Sequence, residues 1–289
     1  MTILVTAASG HLGRLTIDAL LARGVSASEI VAGARTPSKV ADLADHGVRT
    51  VELDYSVPAS IASALDGIAT VLLISGSEPG KRAEGHKNVI DAARTANVAK
   101  LVYTSAPKAT TVDWVLAPDH RATEEALAAS GVPFVVLRNN WYVENFTGLV
   151  LGAAESGVIT ASVGDGRVAS ATRQDFAEAA AVVLTEDGHL GKVYELGGDI
   201  AWDYDELAAA ASDVLHRAVS YVPVTAADHL RALEAAGTDA GTAGFLVAVD
   251  GAIAQGVLAD TDGTLSRLIG RPTTPLRDGL RADIALKQS

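Results

Sequence analysis

Short apolar runs alternate with amphipathic stretches along the first half of this sequence. The segments 2–6, 70–74 and 100–104 are rich in aliphatic and β-branched residues, which is typical of strands buried on both faces of a sheet. Between them, apolar residues recur with helical spacing, as in the helix that we expect to end at residue 23 and in residues 118–130. Strands that alternate with helices predict a parallel sheet covered on both faces. We therefore predict an α/β fold with a doubly wound parallel sheet.

This regular alternation weakens in the second half of the chain. There we predict a β-hairpin of strands 157–161 and 167–171, joined by the turn Gly164-Asp165-Gly166. The apolar helix 172–185 and the strand 192–196 resume the earlier pattern. We predict two domains, a first one of residues 1–146 to which 172–198 return, and a smaller α/β domain of residues 147–171 and 199–289.

Composition narrows the class of protein. Of the 289 residues, 48% are hydrophobic and 4% aromatic, so aliphatic side chains must fill a sizeable core. The net charge of −12 argues against a nucleic-acid partner, because phosphate neutralisation needs clustered Lys and Arg. The absence of cysteine excludes disulfides and thiolate chemistry. With no secretory signal and no apolar run of about 20 residues, we expect a cytoplasmic protein without membrane contact, a monomer or a homodimer.

A turn of small residues follows the first strand and leads into the first helix. It reads Ala7-Ala8-Ser9-Gly10-His11-Leu12-Gly13. In dinucleotide-binding folds a pyrophosphate lies on the helix N-terminus at this point, where backbone amides reach it only if the side chains are small. The alternative is an ordinary tight turn. Ala7 stands where the usual pattern has its first glycine, and we expect it to fit with a negative φ.

Three other strand ends carry candidate cofactor contacts, because the carboxyl ends of parallel strands form the ligand edge of such a sheet. Arg35 ends the second strand, where its guanidinium suits the 2′-phosphate of NADPH, unless it is merely solvated. Asp54 ends the third strand and is suited either to the adenine amino group or to capping and turn formation. The loop Ser75-Gly76-Ser77 follows the fourth strand, where it either approaches the nicotinamide ribose or acts as a flexible linker.

The acid–base pair of conventional short-chain dehydrogenases is missing from this chain. In those enzymes a Ser joins a Tyr-x-x-x-Lys helix, and Ser105 occupies the place of the Ser. Where Tyr and Lys would stand, the predicted helix carries His120 and Glu124. Their spacing of one helical turn allows an ion pair or a proton relay, or else a structural pair at a domain seam. Two such residues without a third do not make a metal site.

Polar and aromatic residues concentrate after the predicted sixth strand. The segment 139–146 reads Asn-Asn-Trp-Tyr-Val-Glu-Asn-Phe in a chain that is poor in aromatic residues. At the edge of the sheet these side chains would form a floor or wall for a flat substrate. The alternative is a hydrophobic hinge against which the second domain packs.

Together these stretches resemble the NmrA-like atypical short-chain dehydrogenase/reductases, and within them the type 2 NADPH-dependent quinone oxidoreductases. The most specific matches are Arg-Asn-Asn-Trp-Tyr-Val-Glu-Asn at 138–145 and Ser-Ala-Thr-Arg-Gln-Asp at 170–175. The resemblance covers nearly the whole chain and implies a Rossmann-like domain with a smaller α/β domain, and a site for NADPH and substrate. Together with the strand ends, it assigns cofactor contacts to Thr6, Ala7, Ala8, Ser9, Gly10, His11, Leu12, Arg35, Asp54, Tyr55, Ser75, Gly76, Ser77, Thr104, Ser105, Asn140, Trp141, Tyr142, Val143, Glu144, Asn145, Phe146 and Arg173.

The resemblance implies direct hydride transfer from NADPH to a quinone or a similar flat acceptor. The oxyanion formed from a quinone is far less basic than an alkoxide, so positioning and a weak hydrogen-bond donor suffice. We assign this catalytic donor role to Tyr142 or Asn145. Two alternatives remain, namely an NmrA-like redox sensor that binds the dinucleotide without turnover, and a reductase of cationic dyes or aryl compounds.

Overall fold

The chain forms two compact units in the computed structural model, which describes residues 1–78 and 80–288. Unit 1 consists of Met1–Thr111, Leu116–Asn139 and Arg173–Glu195. Unit 2 consists of Val112–Val115, Asn140–Thr172 and Leu196–Ser289. Residues 140–146, which the predicted boundary assigned to the first domain, thus group with unit 2.

Seven strands form the sheet of unit 1, in the order β3-β2-β1-β4-β5-β6-β8. The strands of the described residues are β1 (Ile3–Val5), β2 (Ile30–Ala34), β3 (Arg49–Glu52), β4 (Thr70–Leu73), β5 (Lys100–Ser105), β6 (Phe134–Asn139), β7 (Val158–Ala161), β8 (Val193–Leu196) and β9 (Ser220–Pro223). The pairings from β3 through β6 are all parallel, and Leu4 of β1 lies between Val31 and Val71. The apolar runs therefore occupy the centre of the sheet, as predicted.

Helices cover both faces of this sheet. The helices of the described residues, in both units, are α1 (His11–Ala22), α2 (Ala41–Asp45), α3 (Pro58–Ala64), α4 (Arg82–Thr95), α5 (Ala117–Ser130), α6 (Thr147–Ser156), α7 (Arg173–Thr185), α8 (Tyr204–Leu215), α9 (Ala226–Ala235), α10 (Ala240–Ala254), α11 (Thr264–Ile269) and α12 (Leu276–Gln288). Of these, α1 to α5 and α7 belong to unit 1. Helices α3, α4 and α5 share one apolar cluster with the strands, in which Ile61, Ile90 and Leu127 are fully buried or nearly so. Helix α1 packs against α7, and α7 contacts β4, β5 and β6. This is the predicted Rossmann-like α/β fold.

Unit 2 contains a small two-stranded sheet and several helices, and here the predicted hairpin is wrong. Strand β7 pairs in parallel with β9, while residues 167–171 form only isolated bridges. The turn itself is present, since the Gly166 amide bonds the Val163 carbonyl. A Cβ at Gly166 would lie 2.5 Å from the Ile253 carbonyl oxygen, so the turn packs closely against α10. This packing directs the chain away from β7.

The helices of unit 2 begin and end largely where their capping residues predict. Helix α8 begins after Asp203, which forms a complete capping box with Glu206. Helix α10 begins at Ala240, after the cap Asp239, whose side chain accepts from the Thr242 amide. Among the described residues, no helix combines the length and the apolar character that a membrane span requires.

Candidate functional site

The predicted cofactor residues of unit 1 lie at the carboxyl edge of its sheet. The turn after β1, Arg35 after β2, Asp54 after β3 and the loop after β4 all follow strands that run in the same direction. Strand order changes direction at β1 and β4, since the chain runs from β1 outward to β3 and then returns to β4. Ligand crevices of open parallel sheets form at such a switch point. The topology therefore collects these strand ends where a dinucleotide would bind.

The turn after β1 holds Ala7 in the left-handed region, with a φ of 47°. The expectation of a negative φ is wrong. The Ala8 amide bonds the Gly33 carbonyl at 2.9 Å, and the Gly10 amide bonds the Ala7 carbonyl at 2.9 Å. The first bond ties the turn to β2, and the second closes a tight turn over residues 7–10 in which Ala7 takes the positive φ that glycine adopts readily.

The amino end of α1 is open to an anion. Its N-cap, Gly10, makes no side-chain cap, and its first turn carries no acidic residue. A Cβ at Gly13 would lie 2.6 Å from the Ala7 carbonyl oxygen, so only glycine lets the helix approach the turn this closely. Ser9, Gly10 and His11 are exposed and lie at the start of α1. The backbone amides of the first turn of a helix have no acceptor within that helix. This arrangement fits a pyrophosphate group.

Arg35 directly follows β2 and is exposed. Within residues 1–78 and 80–288 its guanidinium makes no hydrogen bond or ion pair, and its charge helps to lower the pKa of Asp54. The larger cause of that lowered pKa is hydrogen bonding from Ser56, whose amide and hydroxyl donate to Asp54 Oδ1 at 2.9 and 2.7 Å. Asp54 thus forms a turn, one of its two expected roles, and its contact with adenine stays a prediction.

Thr6 and Tyr55 connect the ends of three strands. The Tyr55 hydroxyl donates to the Ile74 carbonyl at 2.8 Å and is hydrogen-bonded to the Thr6 hydroxyl. The Ile74 amide in turn donates to Thr6 Oγ1 at 3.0 Å. Thr6 is fully buried and is bonded within the protein, and its contact with the cofactor stays a prediction. Burial raises the pKa of Tyr55, whose hydroxyl stays protonated and holds the strand ends in register.

The loop after β4 is held by hydrogen bonds from its backbone amides to side chains of unit 1, so over its described residues it is not a flexible linker. Three of its amides donate to side chains, and the pairs are Ser75 N to Thr104 Oγ1 (2.9 Å), Gly76 N to His86 Nε2 (2.9 Å) and Gly80 N to Asp119 Oδ2 (2.6 Å). Thr104 is 2% exposed and holds this loop through its hydroxyl, and its predicted contact with the cofactor stays a prediction. The loop presents its other surface at the edge of the sheet.

Ser105 and Glu124 belong to a buried ionic network that replaces the acid–base pair. The Ser105 hydroxyl donates to Glu124 Oε1 at 2.6 Å, and Arg138 bonds the same carboxylate through Nε and Nη2 at 3.0 and 2.6 Å. Arg138 also donates to Glu195 Oε1 at 2.9 Å and to Thr110 Oγ1 at 2.7 Å. Although burial opposes the charge, these carboxylates raise the pKa of Arg138. Ser105 is buried, and its proton is committed to this network.

His120 and Glu124 do not pair, which corrects the expectation of an ion pair or a relay. His120 Nδ1 bonds the Tyr103 hydroxyl at 2.8 Å, whereas Glu124 bonds Arg138. The pKa of His120 is lowered to about 3, chiefly by burial and also by the nearby Arg82 and His86. A hydrogen bond from a neutral imidazole to the Glu124 carboxylate would be weaker than the two charge-assisted hydrogen bonds from the Arg138 guanidinium.

In unit 2, the segment 140–146 is held by three of its own residues. The Asn140 carboxamide accepts from the Trp141 amide at 2.7 Å and donates to the Leu258 carbonyl at 3.1 Å. Val143 is fully buried, and Phe146 packs edge-on to Trp202 with ring centroids 4.7 Å apart. The side chains of Asn140, Val143 and Phe146 therefore fix the segment, and the ligand contacts assigned to these three residues stay predictions.

Four other residues of this segment keep surface for a ligand. Trp141, Tyr142 and Glu144 are half-buried, and Asn145 is exposed. Arg173 begins α7 in unit 1 and is half-buried. The roles assigned to these five residues stay predictions.

Sequence reasoning missed His86 and Arg138, which organise the site of unit 1 from inside. Arg138 appeared only as part of a motif. For His86, the sequence pattern predicts a helix over residues 86–96, whereas the helix α4 begins at Arg82. A helix started four residues earlier would have placed His86 on the face that meets α5. The signal available was a lone histidine among the apolar residues Val89, Ile90 and Ala93 of that face.

Comparison with known proteins gives consistent matches over the whole chain. The NAD(P)H-binding family matches residues 7–187. Quinone oxidoreductase 2 of Escherichia coli (strain K12) is 44% identical over 278 residues, which are 96% of this chain and 97% of that protein. The crystal structure of an Escherichia coli NADPH-dependent quinone oxidoreductase complexed with NADPH has a TM-score of 0.94 and 44% identity, covering 97% of this chain and 99% of that one.

A second kind of enzyme is also similar. The Citrobacter sp. triphenylmethane reductase complexed with NADP(H) has a TM-score of 0.92 and 38% identity, covering 98% of this chain and 100% of that one. Both matches are nearly full-length, and they confirm the resemblance to the NmrA-like reductases that the motifs predicted. The chain therefore belongs to the NAD(P)H-binding family, among proteins similar to the quinone oxidoreductases.

Proposed function

We propose that this protein is an NADPH-dependent oxidoreductase that reduces a quinone or a similarly flat, electron-poor acceptor. The observation that carries the proposal is the exposed Arg35 guanidinium beside an uncapped helix N-terminus at the switch point of the sheet. A pyrophosphate at the amino end of α1 and a second phosphate group at Arg35 would fit NADPH, which carries a 2′-phosphate, rather than NADH. The 44% identity with an Escherichia coli quinone oxidoreductase supports the choice of acceptor.

NADPH, when bound, supplies the hydride, and the chain positions it and the acceptor. The amides of the turn after β1 and the Arg35 guanidinium would hold the phosphates. The loop at 75–77 would support the ribose on the nicotinamide side. Trp141 and Tyr142 would hold the flat acceptor, and Tyr142 or Asn145 would donate a hydrogen bond to the developing oxyanion. A Tyr142→Phe variant with unchanged quinone reduction would remove Tyr142 from the donor role.

The network around Arg138 favours an acceptor that needs no strong acid. At the two positions of the usual Tyr and Lys, this chain has a neutral, buried His120 and a Glu124 that is paired with Arg138. Neither residue can deliver a proton to an alkoxide at neutral pH. A reduced quinone can take its proton from water, because its oxyanion is weakly basic.

A cationic triphenylmethane dye is a second candidate acceptor. Its support is the 38% identity with the Citrobacter sp. dye reductase, together with the net charge of −12, which attracts cations. The same hydride chemistry serves both acceptors.

The test is NADPH oxidation measured with a panel of small quinones and one cationic triphenylmethane dye, with NADH run in parallel. We expect acceptor-dependent turnover that prefers NADPH. Turnover of the dye alone would assign the second candidate. Tight NADPH binding without turnover of any acceptor would contradict the proposal and point to a redox sensor.

The Arg35→Ala variant tests the cofactor assignment. We expect the KM for NADPH to rise by about 10- to 100-fold, as for the loss of a charged hydrogen bond, with little change for NADH. The matched control is Arg49→Ala, an exposed arginine at the amino end of the neighbouring strand β3. Equal effects of the two substitutions would refute the 2′-phosphate role of Arg35.

A further inference from the structure

A chain of hydrogen-bonded side chains, buried or half-buried, supports the loop that follows β4. We call it the loop-anchoring cluster, and its members are Arg82, His86, Tyr103, Asp119, His120 and Thr123. His86 and Tyr103 are fully buried, and Thr123 is 1% exposed. Their rings pack edge to face, His86 against Tyr103 with centroids 5.4 Å apart. The cluster is therefore a rigid support and not a solvated surface.

The hydrogen bonds of this cluster assign a single tautomer to His86. The Thr123 hydroxyl donates to the Asp119 carbonyl at 2.8 Å, so its oxygen is left to accept. It accepts from His86 Nδ1–H, at 2.9 Å. His86 Nε2 therefore carries a lone pair, and this lone pair accepts the Gly76 amide at 2.9 Å.

The surroundings keep this imidazole neutral. The pKa of His86 is lowered to about 4, chiefly by burial and also by the Arg82 guanidinium, against the weaker opposing effect of Asp119. A protonated ring would direct an N–H at the Gly76 amide and break the bond. At neutral pH the acceptor at Nε2 is thus permanently available.

The loop depends on this acceptor for its shape. Gly76 approaches His86 and Arg82 closely, since a Cβ at Gly76 would lie 3.3 Å from Arg82 Cβ and 3.8 Å from His86 Nε2. Its amide is half-buried where it bonds His86 Nε2, and leaving it there without an acceptor would cost up to about 3 kcal/mol. Losing Nε2 would therefore release Gly76 and its neighbours Ser75 and Ser77.

We propose that His86 is a positioning residue for the cofactor. By holding the Gly76 amide, it sets the backbone of residues 75–77, which supports the ribose on the nicotinamide side of NADPH. This inference rests on the proposed function, in which the loop faces the dinucleotide. His86 itself is fully buried and contacts no ligand.

Two variants that differ by one methylene separate positioning from folding. His86→Gln places a carboxamide oxygen within reach of the Gly76 amide, whereas His86→Asn is too short and keeps only the bond to Thr123. We expect the Kd for NADPH, measured from the fluorescence of the bound nucleotide, to rise about five- to tenfold in His86→Asn, as for one lost hydrogen bond. His86→Gln should restore most of the affinity, and kcat at saturating NADPH should change less than the Kd in both.

His189→Asn is the matched control, because His189, like His86, is a buried histidine of unit 1. Its Nδ1 is hydrogen-bonded to the Tyr194 hydroxyl. It precedes β8, at the amino end of the sheet, and we expect its Kd for NADPH to equal that of the wild type. An unchanged Kd in His86→Asn, or an equal rise in both His86 variants, would overturn the proposal. Failure of the wild type to bind NADPH would instead refute the proposed function, so the two failures are distinguishable.

Discussion

Ala7 shows how one residue can carry a backbone conformation that its type disfavours. A left-handed conformation costs an L-residue about 1–2 kcal/mol, yet Ala7 adopts a φ of 47° at the sharpest point of the turn. The sequence pattern predicted the turn, because small residues follow a buried strand. It could not predict the sign of φ, which depends on the bond that Gly10 makes across the turn and on the bond from Ala8 to Gly33 of β2.

Substituting Ala7 by glycine should therefore stabilise the protein. We expect Ala7→Gly to raise the free energy of unfolding by up to about 1 kcal/mol, because the relief of the left-handed alanine exceeds the entropy that glycine adds to the unfolded chain. Urea unfolding, followed by circular dichroism, measures the change. Ala62→Gly on the exposed face of α3 is the control, and it should lower stability by about 1 kcal/mol. A loss of stability in both variants would contradict the conformational argument.

At the scale of elements, local chemistry predicted helices better than strand pairing. The start of α8 follows from Asp203 and Glu206, which satisfy orphan amides of the first turn without help from the rest of the fold. The hairpin after β7 failed for the opposite reason. Its turn residues are right, but the partner of β7 is β9, about 60 residues further along the chain. Such a pairing depends on packing that no local pattern encodes.

The capping box makes a prediction about α8. Asp203→Ala should lower the free energy of unfolding by about 1–2 kcal/mol, because it removes the cap and also the ion pair with Arg167. Asp203→Asn keeps an acceptor for the Glu206 amide and should recover most of this loss. Thermal unfolding compares them with Asp205→Ala, an exposed residue of the same turn. The cap is refuted as a source of stability if Asp203→Ala behaves like Asp205→Ala.

At the scale of the molecule, Arg138 joins several elements of unit 1. Its guanidinium connects β6 to α5 through Glu124, to β8 through Glu195, and to Thr110 in the connection after β5. Such a buried group stabilises the native state only while its partners remain, since an unpaired buried charge costs several kcal/mol.

Neutralising one partner tests this dependence. We expect Glu124→Gln to lower the free energy of unfolding by about 2–4 kcal/mol, with Glu195 retaining part of the interaction. Glu125→Gln, the exposed neighbour on the same helix, should have an effect near zero. Chemical unfolding at low and high salt distinguishes the two, because a buried pair is screened much less than a surface charge. A Glu124→Gln variant as stable as Glu125→Gln would show that the network adds nothing.

The fold and the outline of the site follow from the sequence because both are periodic or local. Buried strands, helix stripes and the small-residue turn place Arg35 and the loop at 75–77 at one edge of a sheet. The sequence could not predict which polar side chains form hydrogen bonds inside the protein. Thr6 and Asn140 were both predicted to contact the ligand. Only three-dimensional packing shows that their side chains form hydrogen bonds to other groups of the protein.

The chain leaves unit 1 at residues 112–115, 140–172 and finally at 196, and it returns after the first two departures. The last strand of the seven-stranded sheet, β8, is also the last part of unit 1 to be synthesised. A ribosome must therefore release nearly two hundred residues before this sheet can be completed. Neither unit corresponds to a continuous stretch of the gene, so a nucleotide-binding fragment cut at the end of β6 would lack both an edge strand and the helix α7 that packs on α1.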